Sequence, residues 1–180
     1  MHLLWTTALW KTTARNVVRT IGAAAIAVAA LASVPAVDAA PQAVGPFANL
    51  DGWWGGAGRL RFKDGKTEEV KCRATYFVEA DGNTLKQTIR CASPGGKIEL
   101  KSEVRHSDGK LSGDWKEEMY NISGTLDGTV TPRGFRVAVK ASETALSANM
   151  DIIVKDKRQM VEIQFFSETL IGLTLLLDKG

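Results

Sequence analysis

The fold this sequence predicts is all-β: an antiparallel up-and-down barrel of about 8–10 strands. Three observations predict it. The first is the stretch from Cys72 to Cys91, centred on Asp81-Gly82. A two-residue type I′ turn there needs positive φ at both central residues, which Asp-Gly supplies. Cys72 then faces Cys91, Ala74 faces Ile89, Tyr76 faces Gln87 and Val78 faces Leu85, while Arg73, Thr75, Lys86, Thr88 and Arg90 take the other face. A slip of one residue would mix the two faces and separate the cysteines. The second observation is that short alternating runs joined by Asp, Asn, Gly or Pro turns recur along the chain, with no sustained helical period. The third is their continuous order: strands linked one to the next, each with one apolar face, make a meander whose edges disappear on closure. A two-sheet sandwich is the alternative, because periodicity alone does not distinguish it from a closed barrel.

Taken in order, the chain opens with Lys11, Arg15 and Arg19, then the apolar run Ile21 to Leu31, then small residues ending at Val37-Asp38-Ala39. Residues 1–39 read as a signal peptide. The run is Ala-rich and broken by Pro35, so it falls short of the ~20 apolar residues of a spanning helix. No stable membrane span is expected after processing. Removing Lys11, Arg15, Arg19 and Asp38 takes the chain from 23 basic and 20 acidic residues to 20 and 19, a charge of +1. That balance, without a basic stripe, argues against a nucleic-acid partner. Export makes the facing cysteines a disulfide, Cys72–Cys91, and the expected location periplasmic or secreted.

Residues 40–49 read as an irregular leader and residues 50–179 as one barrel domain. Leu50 to Gly58 is glycine-rich, which forbids a helix and suggests a bent first strand with Trp54 inward. Leu60 and Phe62 continue that face, and Gly65 in a three-residue loop keeps it in phase with Val70 and Cys72. After the central hairpin, Ser93-Pro94-Gly95-Gly96 breaks the chain. Ile98, Leu100, Ser102 and Val104 form a half-buried strand. A turn at Asp108-Gly109 sets Ser102 against Trp115 and Leu100 against Glu117. Beyond Tyr120-Asn121, the inward sets are Ile122 to Val130, then Phe135, Val137 and Val139. Ala148 to Val154 follow, then Val161, Ile163 and Phe165, and finally Ile171, Leu173, Leu175 and Leu177.

Gly52-Trp53-Trp54 resembles the G-x-W that opens the first strand of lipocalin and avidin-type (calycin) barrels. The resemblance implies a lipocalin-like barrel whose closed end Trp54 plugs; lipocalins place an Arg near the end of the last strand against that Trp, and this chain departs from the pattern there, with only Lys179 available. The wider pattern W-x-G-x-G, C-R-A-T-Y, L-x-Q-x-I-R-C-A-S and L-S-G-x-W-x-E is similar to small exported proteins of α-proteobacteria. That second resemblance implies a periplasmic address.

Catalytic signatures are sparse. His106 is the sole histidine after residue 39, so no multi-histidine metal site is expected, and neither G-x-S-x-G nor H-E-x-x-H occurs. Glu68-Glu69 and Glu117-Glu118 are adjacent pairs whose members point to opposite strand faces, which does not suit a general acid and base. The expectation is a non-enzymatic protein without cofactor or metal. Its barrel would bind a small apolar ligand, with Tyr76, Gln87, Ser102, Trp115 and Glu117 as the ligand-binding residues. The competing expectation is a filled core serving a structural or cell-envelope interaction role.

Overall fold

A computed structural model describes residues 44–180; the expected signal peptide lies outside the described residues. Ten antiparallel strands form a closed barrel: β1 Gly52–Phe62, β2 Thr67–Val78, β3 Thr84–Ser93, β4 Gly96–Ser107, β5 Lys110–Glu117, β6 Ile122–Thr131, β7 Gly134–Ala141, β8 Ser147–Lys155, β9 Arg158–Phe166 and β10 Leu170–Lys179. Each strand pairs with the next, and β1 pairs with both β2 and β10, so no edge is left open. The fold is therefore a barrel and not a sandwich.

The central hairpin has the predicted register, with Cys72 opposite Cys91 and Tyr76 opposite Gln87, and the disulfide closes between facing Cα atoms 4.1 Å apart. Its turn differs from the expectation. The Glu79 N–H still donates to Thr84 O, so the loop holds four residues, 80–83, and only Gly82 takes positive φ (72°); it is not the two-residue type I′ turn. The Gly82 N–H donates to the Glu79 carbonyl at 2.8 Å, and the Asp81 carboxylate accepts from the Asn83 N–H at 2.9 Å. Lengthening a loop by two residues preserves parity, which is why every facing pair survives. The Asp108-Gly109 turn does have positive φ at both residues (50° and 77°) and gives the expected Ser102–Trp115 and Leu100–Glu117 pairs.

The glycines of β1 allow closure. A Cβ at Gly56 or Gly58 would collide with the Leu176 or Thr174 carbonyl oxygen of β10. At the far end of that seam the register shifts between Arg61 and Phe62, opposite Gly172 and Leu170. This bulge corrects the assignment of Ile171, which was expected inward and is 45 % exposed. An extra residue in one strand reverses the facing of what lies beyond it.

Inward positions form the core and outward positions carry charge, with Arg59, Arg61, Lys71 and Arg73 on the wall. That is the reverse of a transmembrane barrel, which turns its apolar side chains to lipid. No helix among the described residues is long and apolar enough to cross a membrane.

Candidate functional site

The barrel has two unlike ends. At one end β1 begins and the loops after β2, β4, β6 and β8 gather. There the leader forms a plug. The Gly45 N–H donates to Asp81 O at 2.9 Å and the Phe47 N–H to Gly82 O at 3.1 Å, after which Ala48–Leu50 makes one 3-10 turn. Phe47 and Leu50 are almost wholly buried, and the Phe47 ring lies 5.3 Å from that of Phe135. Trp54 is fully buried below the plug, where its indole N–H donates to Leu50 O at 2.8 Å. The Lys179 ammonium stands 5.7 Å over the Trp54 ring and donates to Asn49 O at 2.9 Å. A cation within about 6 Å of an indole face is attracted by its quadrupole, so the last strand, the plug and the first strand are tied at one point.

His106 serves the same end. Its Nε2 accepts from the Gly109 N–H at 3.1 Å, which leaves Nδ1–H to donate to Asn83 Oδ1 at 2.9 Å. The ring joins two hairpin loops.

A cavity of about 670 Å³ opens beside the plug, against the loops after β6 and β8. Leu50, Val130, Phe135 and Val154 make its apolar lining, and Asn49, Arg133, Lys157 and Lys179 bring polar groups to it. Its size falls within the usual range for a small-molecule site, roughly 300–1,000 Å³. A separate concavity of about 770 Å³ lies on β2–β6, bordered mostly by outward residues such as Lys86, Lys101, Arg105 and Lys116.

The five expected ligand-binding residues are not gathered around the plug-side cavity. Tyr76 is buried and its hydroxyl donates to Gln159 Oε1 at 3.0 Å. Burial pushes that phenol up to about 12, with the Gln159 bond acting in the opposite direction. The Gln87 amide donates to Ser102 Oγ at 2.6 Å, and the Trp115 indole N–H to Thr125 O at 3.1 Å. Gln87, Ser102 and Trp115 border the outer concavity, between its outward residues. Glu117 is buried at the other end of the barrel, where its carboxylate accepts from the Glu99 N–H at 2.9 Å and the Tyr120 N–H at 2.6 Å. It pins the loop after β5.

Glu68 does parallel work at that end. Its carboxylate accepts from Lys66, Ser93 Oγ (2.7 Å) and the Gly95 N–H (3.0 Å). The carboxyl is lowered from 4.5 to about 2, first by the Lys66 bond and then by Ser93, while burial opposes both and the Gly95 N–H adds to them. A depressed carboxyl adds stability that is complete above its unfolded value and is lost as pH falls through the folded one. Glu68→Gln should therefore flatten the acid limb of melting temperature against pH between 4.5 and 2. An unchanged limb would show that Glu68 is not the group responsible.

Sequence reasoning missed the plug, Glu68 and Gln159. Gln159 had a usable signal, since it shares inward parity with Val161. Phe47 and Leu50, three residues apart ahead of G-x-W, had a weaker one. Among the described residues no cluster of His, Cys, Asp and Glu could hold a metal.

No family model matches the chain, and no curated protein matches it. Among solved structures, the crystal structure of Rv2717c from M. tuberculosis superposes with a TM-score of 0.60 over 77 % of this chain and 99 % of its own, at 14 % identity. That likeness is one of fold alone.

Proposed function

We propose that the chain is an exported, non-catalytic binding barrel that takes a small apolar molecule into its interior beside the plug. The observation that carries this reading is the 670 Å³ cavity, where interior-facing Val130, Phe135 and Val154 with Leu50 of the plug meet Asn49, Thr131, Arg133, Asp156, Lys157 and Lys179. Apolar side chains can hold a small molecule by burying its surface, and polar groups beside them can orient it. The Cys72–Cys91 disulfide supports an oxidising compartment, periplasmic or secreted. The Lys179–Trp54 contact supports the calycin-like reading of G-x-W.

A filled-core structural role has one observation in its favour. Tyr76, Gln87 and Ser102 already hydrogen-bond to protein partners, which leaves fewer polar groups inside the barrel to meet a ligand.

Titration with a neutral apolar fluorophore, N-phenylnaphthylamine, separates the two. The binding reading predicts saturable binding of one probe per chain and its weakening in Val154→Trp, whose larger ring intrudes on the cavity. No saturable signal from the parent chain, or undiminished binding by Val154→Trp, would refute it.

A further inference from the structure

The outer wall carries an apolar row that neither the ligand reading nor the core explains. Ala57 on β1 is paired with Leu176 on β10, Leu176 with Met160 on β9, and Met160 with Ile153 on β8. All four occupy outward positions, and Leu176 is 53 % exposed. The row is thus contiguous across four strands of the wall. Charged residues flank it on both sides. Toward the plug end lie Asp178, Arg158 and Lys155; on the other side lie Arg59, Thr174, Glu162 and Asp151. An apolar centre with a polar rim is the anatomy of a protein–protein contact.

We propose that this row is a docking surface for a second copy of the same chain, related by a two-fold axis running along the strands between β9 and β10. The charges choose that occupant. Such an axis lays β10 on the partner copy's β9 and β1 on its β8. Leu176 then meets Met160 and Ala57 meets Ile153 across the contact. Asp178 meets Arg158, and Arg59 meets Asp151. The remaining facing pairs, Thr174 with Glu162 and Gly55 with Lys155, oppose no like charges. A surface of one sign could not face itself without repulsion, and this one presents an acid to a base wherever two charges meet, twice over by symmetry. Because the wall is convex, the contact is small, which places the dimer in the weak class.

Sedimentation velocity of the purified chain over loadings of about 1–100 μM should show reversible monomer–dimer exchange. Leu176→Lys should weaken the association about tenfold or more, since it puts a charge in the apolar centre. The decisive arm uses charge reversal. Within one chain Arg158 also pairs with Asp178, at 2.9 Å, so single variants alone would be ambiguous. Asp178→Arg should be monomeric, because two arginines then face each other across the axis. Arg158→Asp should be monomeric because two aspartates do. Mixed together, the two variants should form a heterodimer, in which every crossing joins opposite charges while the pair inside each chain stays broken. Circular dichroism of each variant checks that it is folded. A parent chain that is monomeric at every loading overturns the proposal, whatever else covers the row. Folded variants that fail to associate on mixing overturn the axis and the partner together.

Discussion

Trp54→Ala should lower folding stability by about 3–5 kcal/mol, while Trp53→Ala should change it by no more than about 0.5 kcal/mol in the monomer. The two residues are adjacent and chemically identical, so the difference comes entirely from facing. Trp54 is fully buried, hydrogen-bonded to Leu50 O and covered by Lys179, whereas Trp53 is 57 % exposed. Removing the Trp54 indole leaves a void beneath the plug and an unpaired Leu50 carbonyl. The plug then loses its floor as well as its anchor, so the change should also loosen residues 45–50. Urea denaturation of both variants checks the order. Equal losses would mean that the first strand is displaced by one residue from its pairing with Ala74 of β2 and Lys179 of β10.

Opening the Cys72–Cys91 bridge should have the next largest effect. The bond closes a loop of 19 residues' separation, and in the chain-entropy model a loop of that size restricts the unfolded ensemble by ~3 kcal/mol. Both cysteines are buried on the inward face, so reduction of the parent isolates the covalent link, whereas paired replacement by alanine also deletes two buried sulfur atoms. The denaturation midpoint of the paired variant should fall to that of the reduced parent or below it. A midpoint equal to that of the oxidised parent would show that the link contributes nothing.

Parity was the legible quantity. A strand's facing repeats every two residues, so one well-placed turn sets a whole pair of strands, and errors in loop length are harmless when they come in twos. The β2–β3 loop is the example: it is longer than expected by two residues, yet Cys72 still faces Cys91. The Ile171 correction is the converse, since a bulge adds one residue and reverses the facing. Glycines that favour bending were visible, but where the seam would break was not, because it depends on how β1 meets β10 some 110 positions later.

The site was less legible than the fold. Parity placed Tyr76, Gln87, Ser102 and Glu117 inward, but it says nothing about what an inward polar group will bond to. Gln159, the Tyr76 partner, comes from a strand 83 residues away, and Glu117 turned to its neighbours' backbone. The plug was hidden for another reason. Residues 45–50 hold no strand alternation, and their burial follows from two main-chain bonds to a hairpin loop whose conformation the turn rule did not supply.

Native mass spectrometry of the protein as it leaves its own compartment, never unfolded, tests the binding reading most directly. The account predicts a species heavier than the processed chain by one small organic molecule, lost on denaturation and depleted in Val154→Trp. The bare chain mass from every native preparation, together with no uptake of an apolar probe, would contradict it and leave the barrel as a filled structural module.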